Sequence, residues 1–275
     1  FNRITEQSNT YIDLLVGNHD MADQGMQHHS LHWMKAFNFG NRLKDGPFRV
    51  IDHPLHNSHN LADPFSYLPY TEDKAVIEKF FAECGDVCFM HQGVAKVPMG
   101  SGFLIDEILT PDMIPDHVKH VFTGHYHQHN RVSDKLTIIG STMQHNWSDT
   151  GDDRGYVWYD TETGDIELVD VGAPRFTTLN MDGRGSCDWS YNDNLKNKYI
   201  RVQDYNSTMK DEIREGLMGE GGALSVEFVP KVPGFTRLDL SGTKGSFHLP
   251  TLVEEYTKQQ DIDDDRSKVG KELMK

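Results

Sequence analysis

The chain has 275 residues, 37% of them hydrophobic, which is enough for one large domain or for one domain with a smaller appendage. Its formal net charge of −15 excludes a protein that holds nucleic acid through a uniformly basic surface of its own. Three cysteines are too few for a disulfide framework and indicate a reducing compartment, and no apolar run is long enough to span a bilayer.

The first third of the chain predicts strands and helices in alternation. A short apolar run at residues 11–16, followed by glycine, is typical of a buried strand that leads into a loop. Apolar residues at helical spacing predict helices at residues 30–39 and 72–83. Between these helices we expect strands at residues 48–51 and 65–68, which are separated by a loop rich in His and Asn.

The middle of the chain predicts a further run of strands. We expect buried strands at residues 86–91, 119–123 and 136–139, and a β-hairpin at residues 155–160 and 165–171 around the sequence TETG. Strands that alternate with helices and are then followed by adjacent strands indicate an α/β fold. The predicted architecture is a β-sandwich flanked by helices.

The composition changes after about residue 180. The sequence DGRGSCDWSYNDN is a polar linker, and a strand at 199–202, a helix at 209–217 and a strand at 223–229 follow it. These elements predict a small α+β cap domain. The last stretch predicts an amphipathic helix that runs into a charged tail, either as a frayed end or as a docking element. We therefore expect domains at residues 1–180 and 181–248 and a C-terminal segment at residues 249–275.

Three loops that follow predicted strands carry residue types that bind metals. GNHD spans residues 17–20, FMHQG contains a single histidine, and GHYH spans residues 124–127. If their strands are neighbours in one sheet, these side chains converge, because ligands gather at the carboxyl ends of strands. The converging residues are Asn18, His19, Asp20, His91, His125 and His127. Imidazole and amide ligands without thiolate suit Mn, Fe or Zn.

Two such ions can clamp a phosphate and activate a water for in-line attack. Two unit charges 4 Å apart repel by ~4 kcal/mol at an effective dielectric near 20, and two dications repel by roughly four times that, so bridging anions are required. The motifs offer only an amide and imidazoles. The acidic residues upstream of GNHD are Glu6 and Asp13, and neither lies at a predicted strand end.

In this order, GNHD, a lone histidine and GHxH resemble the motifs of the calcineurin-like metallophosphoesterase superfamily. The family's two earlier motifs, Asp-x-His and Gly-Asp-x-x-Asp, supply the carboxylates and would precede Phe1, so the resemblance covers the last three of five signature loops. The segment IIGSTMQHNWSDTGDDRGYVWYDTETGDIEL is similar to the corresponding stretch of the SbcD-type branch, with Met143 where that branch has proline. The small domain and the C-terminal helix also match the layout of SbcD-like recombination nucleases.

The resemblance assigns metal ligands at the matching positions. Asn18, His91 and His125 would bind one metal ion, which is shared with the absent bridging aspartate. His127 would bind the other ion, together with the absent Asp-x-His pair. His129 matches nothing in the family pattern, and we interpret it as a loop residue.

The resemblance also assigns two residues that do not bind metal. His19 is similar to the family histidine that stabilises the transition state or protonates the leaving 3′ oxygen. Asp20 would orient His19 and stabilise its charge. Residues that contact DNA are not identified by any motif.

The implied function is hydrolysis of phosphodiester bonds in DNA, as an exonuclease or endonuclease that uses two divalent ions, with Mn²⁺ expected. Such a nuclease subunit would work in a recombination and repair complex of the SbcC/SbcD type, in the cytoplasm of a bacterial cell and encoded by the host or a phage. Its partners would be DNA, an SMC-like ATPase docked on residues 249–275, and a second copy of the chain. Without the first two motifs, the 275 residues are expected to be an incomplete and weakly active or inactive fragment.

Two other functions share these sequence features. A metallophosphoesterase that acts on a small phosphodiester, such as a cyclic nucleotide, would use the same ligands. A non-catalytic scaffold subunit would tolerate an incomplete metal site. The segment after GHxH and the second domain favour the nuclease.

Overall fold

The computed structural model describes residues 12–22, 28–40, 48–56, 65–97, 107–181 and 195–229. The strands in these ranges are β1 (Ile12–Leu15), β2 (Phe48–Ile51), β3 (Leu55–His56), β4 (Phe65–Leu68), β5 (Val87–Met90), β6 (His120–Thr123), β7 (Asn130–Ser133), β8 (Leu136–Ile138), β9 (Tyr156–Tyr159), β10 (Ile166–Val169), β11 (Arg175–Asn180), β12 (Lys198–Gln203) and β13 (Ser225–Phe228). The α-helices in the same ranges are α1 (Lys74–Glu83) and α2 (Lys210–Met218). This mixture confirms the α/β class, whereas the metallophosphoesterase-type sandwich stays a prediction.

The main sheet has six strands in the order β3-β4-β5-β6-β8-β7. The four central strands are parallel, and the two edge strands run antiparallel to their neighbours. Strand β1 pairs in parallel with β2 in a separate two-stranded sheet. Because the central strands are parallel, their carboxyl ends lie along one edge of the sheet, where the sequence places two of the three motifs.

Helix α1 covers one face of the main sheet. Asp73 is its N-cap, since the Asp73 carboxylate accepts a hydrogen bond from the Ala75 amide at 2.8 Å. The core on this face includes Leu68, Ile77, Phe80, Phe81, Cys88, Met90, Val121, Leu136 and Ile138. The helix predicted at residues 72–83 is confirmed, and it begins at Lys74, directly after the N-cap.

The opposite face of the main sheet carries a row of aromatic rings. Ring centroids are 5.4 Å apart between Tyr67 and Phe89, 5.4 Å apart between Phe89 and Phe122, and 5.0 Å apart between Phe122 and Tyr159. Tyr159 comes from the antiparallel hairpin of β9 and β10, which confirms the predicted hairpin. Both faces of the parallel strands are therefore covered, as parallel sheets require.

A separate three-stranded sheet is formed by β11, β12 and β13, which are all parallel. Helix α2 packs against it, and Ile200, Val202, Ile213 and Leu217 are fully buried between them. The elements predicted at residues 199–202, 209–217 and 223–229 are thus present. The described residues up to Phe228 belong to one compact unit, and β11 joins this sheet from before residue 181. The domain boundaries and the helix predicted after residue 249 stay predictions, and the latter lies outside the described residues.

The segment predicted as an α-helix at residues 30–39 is instead a 3₁₀ helix, Ser30–Gly40. Its apolar residues follow one another at intervals of three, as in Leu31 and Met34, and a 3₁₀ helix has three residues per turn. Both side chains pack against the small cluster around Val16 and Val50. None of the helices in the described ranges is long and apolar enough to cross a membrane.

Candidate metal centre

Backbone hydrogen bonds continue past the carboxyl ends of the strands and bring the three motifs together. The Tyr70 amide donates to the Val16 carbonyl at 3.0 Å, which ties the end of β1 to the segment after β4. The His91 amide donates to the Leu68 carbonyl at 3.2 Å, and the Gly124 amide donates to the Met90 carbonyl at 2.9 Å. GNHD, the His91 loop and GHYH therefore lie side by side, as the sequence predicts.

Asn18, His91 and His125 meet at this edge. His91 Nε2 lies 3.0 Å from Asn18 Oδ1, although the two residues are 73 positions apart. The His91 and His125 rings are perpendicular, with centroids 5.6 Å apart. The amide oxygen and both imidazoles thus surround one small volume.

Two glycines enclose the His91 ring. A β-carbon on Gly17 would lie 2.8 Å from His91 Cε1, and a β-carbon on Gly124 would lie 2.8 Å from His91 Nδ1. A side chain at either position would therefore have to displace the His91 ring. The glycines that precede Asn18 and His125 in the motifs therefore hold the imidazole from two sides.

The His125 ring is held by a network from other parts of the chain. Its backbone φ is +82°, a left-handed conformation that is uncommon outside glycine and concentrates at functional sites. Tyr70 stacks on the ring at 5.8 Å, and the Glu107 carboxylate lies 3.7 Å from Nε2. The Tyr126 hydroxyl donates to the same carboxylate at 3.1 Å. His125 Nδ1 is buried without a hydrogen-bond partner among the described residues.

The environment keeps these imidazoles neutral. Burial, together with the nearby His125, lowers the pKa of His91 to about 4, and burial also lowers the pKa of His125 and of His127. A neutral imidazole is the form that binds a metal ion. The ring nitrogens are thus ligand-competent at neutral pH.

GNHD places His19 on the solvent side of the site. The side chain is exposed, and a positive charge on it lowers the pKa of His91, His125 and His127. The Asp20 carboxylate accepts a hydrogen bond from the Gly17 amide at 2.8 Å and closes the turn. The structure therefore brings His19 within electrostatic range of all three imidazoles, while the hydrogen bond described for Asp20 goes to the backbone.

His127 contacts different neighbours from His125. Its ring centroid lies 4.5 Å from that of His145, a residue that no motif singles out. The His145 amide donates to the Asp149 carboxylate at 2.7 Å, and Asp149 pairs with the buried Arg154 at 3.0 Å. His125 and His127 thus belong to one turn but contact different residues, and the buried Tyr126 lies between them in the sequence.

The donor set fits one divalent ion at the first position. Asn18 supplies an amide oxygen, His91 and His125 supply neutral nitrogens, and the unpartnered Nδ1 of His125 is the observation that favours an ion there. Within the described ranges, no three His, Cys, Asp or Glu side chains are close enough to hold a metal by themselves. Asp13 is the second residue of β1 and not at its carboxyl end, and its carboxylate accepts two hydrogen bonds from the Arg49 guanidinium.

The chain is similar to two viral proteins. "Exonuclease subunit 1" of Enterobacteria phage T4 is 22% identical over 245 residues, which are 88% of this chain and 68% of the T4 protein. "Putative phosphoesterase 078R" of Invertebrate iridescent virus 3 is 20% identical over 265 residues, which are 91% of this chain and 74% of that protein. No family model matches the sequence. These distant similarities support a place among nucleases and phosphoesterases.

Replacing Glu107 by glutamine should weaken metal binding by roughly 10–100-fold. The Glu107 carboxylate beside His125 Nε2 favours the tautomer with the proton on that nitrogen, which leaves His125 Nδ1 free to bind a metal ion. Two measurements check this: a Mn²⁺ titration followed by EPR, and the ¹⁵N shifts of the His125 ring, which report its tautomer in the metal-free protein. Glu72→Gln is the matched control, since Glu72 is exposed and its described hydrogen bond comes from the Tyr70 hydroxyl and not from His125. An unchanged His125 tautomer in Glu107→Gln would contradict the assignment.

Acidification should destabilise the metal-free protein between about pH 6.5 and pH 4. The fold lowers the pKa of His91 to about 4, so the unfolded chain takes up a proton in this range and the folded chain does not. The free energy of unfolding has its full value above the pKa that His91 has in the unfolded chain. It falls by up to about 3 kcal/mol as the pH approaches 4. Urea unfolding at pH 7.5 and 4.5 measures the loss, which should shrink in His91→Gln. An equal loss in that variant would assign the effect to other groups.

Proposed function

We propose that the protein is a metal-dependent phosphodiesterase that hydrolyses DNA, as the nuclease subunit of a recombination and repair complex of the SbcC/SbcD type. The observation that carries the proposal is the meeting of Asn18, His91 and His125 at the carboxyl edge of the sheet. The similarity to a phage exonuclease subunit and to a viral phosphoesterase supports the reaction class.

Two divalent ions, for which Mn²⁺ suits the ligands, would be held at the two histidine clusters. Asn18, His91 and His125 would hold one ion, and His127 would hold the other, with His145 as its neighbour. Such ions supply charge stabilisation of the phosphate and a nucleophilic water at neutral pH. The glycine pair and the Glu107 carboxylate fix the imidazoles in position before an ion binds.

His19 is the proposed proton donor to the leaving 3′ oxygen. Its ring is exposed at the mouth of the site and lies within electrostatic range of the imidazoles, so it can reach a bound phosphate without being a ligand. Asp20 contributes negative charge beside it while closing the turn through Gly17. General acid catalysis of this kind contributes roughly 10²–10⁴-fold to a rate.

The test is Mn²⁺-dependent cleavage of linear duplex and single-stranded DNA, beside a chromogenic phosphodiester. The 275-residue chain is assayed beside a version extended at its N-terminus by the Asp-x-His and Gly-Asp-x-x-Asp segments of the family that it resembles, so that both carboxylate motifs are supplied. DNA cleavage supports the proposal. Hydrolysis of the small ester alone would favour a small-molecule phosphodiesterase, and no hydrolysis by either protein would favour a scaffold.

The proposed partners are an SMC-like ATPase and a second copy of the chain. Residues 249–275 are the proposed docking segment for the ATPase, since the sequence there is amphipathic. Co-purification of the ATPase should be lost when this segment is deleted. Retention of the ATPase by the shortened chain would remove the assignment.

A further inference from the structure

A second concave site lies directly beside the candidate metal centre. It has a volume of about 400 Å³ and is lined by Met143, Gln144, His145, Pro174, Phe176 and Tyr199. His145 belongs to both sites, because its ring lies 4.5 Å from that of the predicted ligand His127. A group bound in this pocket would therefore be adjacent to a phosphate at the metal centre.

Two of the residues that line the pocket, Phe176 and Tyr199, are aromatic, and Trp147 and Arg201 pack next to Phe176 and Trp147 respectively. Phe176 on β11 stacks on Tyr199, its register partner on β12, with centroids 5.0 Å apart and planes 25° apart. Trp147 meets Phe176 edge-on at 4.9 Å, and the Arg201 guanidinium lies 4.2 Å above the Trp147 ring. Aromatic rings backed by a guanidinium are the groups on which nucleobases stack.

The pocket is held rigid by the buried Gln144. Its side-chain oxygen accepts from the Phe176 amide at 2.6 Å, and its side-chain nitrogen donates to the Asp152 carbonyl at 3.1 Å. The first bond joins the loop after GHYH to β11, and the second ties Gln144 to the backbone of its own loop. Met143, by contrast, is 47% exposed at the mouth, where a flexible thioether can pack against a flat ligand. The pocket is therefore already formed in the absence of a ligand, except at Met143, whose side chain can adjust.

We propose that this pocket binds the nucleobase next to the scissile phosphate. The inference rests on the proposed function and adds to it a substrate class. A chain with a net charge of −15 gains little from general attraction to the phosphate backbone, so a stacked base is a better anchor for it. Since a base inside a duplex cannot reach such a pocket, the preferred substrate is a single strand or an unpaired end.

The experiment compares Tyr199→Leu, which keeps apolar volume but removes the stacking face, and Met143→Glu, which places a charge at the mouth. Each is assayed on a single-stranded oligonucleotide and on the same oligonucleotide with abasic sites. We expect both variants to lower kcat/KM for the intact strand on the order of tenfold and to match the wild type on the abasic strand. Trp158→Ala is the matched control, because Trp158 is 61% exposed and lies outside the pocket.

Two outcomes would overturn the inference while the proposed function stands: DNA cleavage that the pocket variants do not change, or equal losses on intact and abasic strands. If the wild type cleaves no DNA, the proposed function fails and the pocket is tested separately. Binding of deoxynucleoside 5′-monophosphates to the metal-free protein is then followed by tryptophan fluorescence. Binding that Tyr199→Leu abolishes supports the pocket, and no binding overturns it.

Discussion

Replacing His19 by alanine, in a chain that also carries the family's two carboxylate motifs, should lower Mn²⁺-dependent DNA cleavage by roughly 10²–10⁴-fold and leave Mn²⁺ affinity unchanged. The side chain is exposed on the short turn after Gly17 and lies within range of His91, His125 and His127 without packing in the core. Its removal therefore takes away a proton donor and leaves the fold and the proposed ligands intact. Single-turnover cleavage and an EPR titration of Mn²⁺ measure the two quantities.

His125→Ala is the variant to compare with His19→Ala. It removes a proposed ligand whose ring is held by Tyr70 and Glu107, so a metal should be lost together with the activity. Loss of Mn²⁺ from His19→Ala to the same extent would show that His19 is a ligand and that its proposed role is wrong. His19→Gln refines the test, since an amide keeps a hydrogen-bond donor but does not titrate.

Replacing Gly17 by alanine should displace the His91 ring and weaken metal binding at the first position. Gly17 has φ −101°, which any residue adopts, so the effect is steric and not conformational. The new β-carbon would lie 2.8 Å from the ring, and Gly124 blocks the other side. Overpacking of this kind destabilises by about 1–3 kcal/mol. Loss of the 3.0 Å contact between His91 and Asn18 should accompany it.

A double-mutant cycle tests the mechanism of the Gly17 effect. In a His91→Ala background the ring is gone, so Gly17→Ala should then change the free energy of unfolding by far less. Urea unfolding of the wild type, both single variants and the double variant gives the coupling. Equal destabilisation in both backgrounds would mean that the methyl group clashes with something other than His91.

The sequence alone predicts the convergence of the three motifs, because strand ends in a parallel sheet share one edge and GNHD, His91 and GHYH each follow a strand. It does not predict the residues that support them. Glu107 comes from a loop without a motif, and Tyr70 follows β4 with no signal of its own. Only the tertiary fold brings their side chains to His125. His145 lies in the segment similar to the SbcD branch, yet no spacing rule relates it to His127.

The strands that the sequence does not reveal are short or polar. β3 has two residues, β7 is the polar edge sequence NRVS, and β11 is RFTTLN, in which threonine replaces larger apolar residues. Among the described strands, β3 and β7 lie at the edges of the main sheet, and their weak apolar pattern agrees with having one neighbour there. The 3₁₀ helix was missed because spacings of three and of 3.6 residues differ little over a few turns.

The parallel pairing of β5 with β6, and of β1 with β2, has a consequence for biosynthesis. Each pair joins residues that are more than thirty positions apart, so loop entropy must be overcome before the pairing gives any stability, and such topologies fold slowly. On the ribosome, GNHD emerges long before GHYH, at about 5–20 residues per second. The nascent chain therefore carries an exposed histidine turn for several seconds before any cation-binding cluster can close around it.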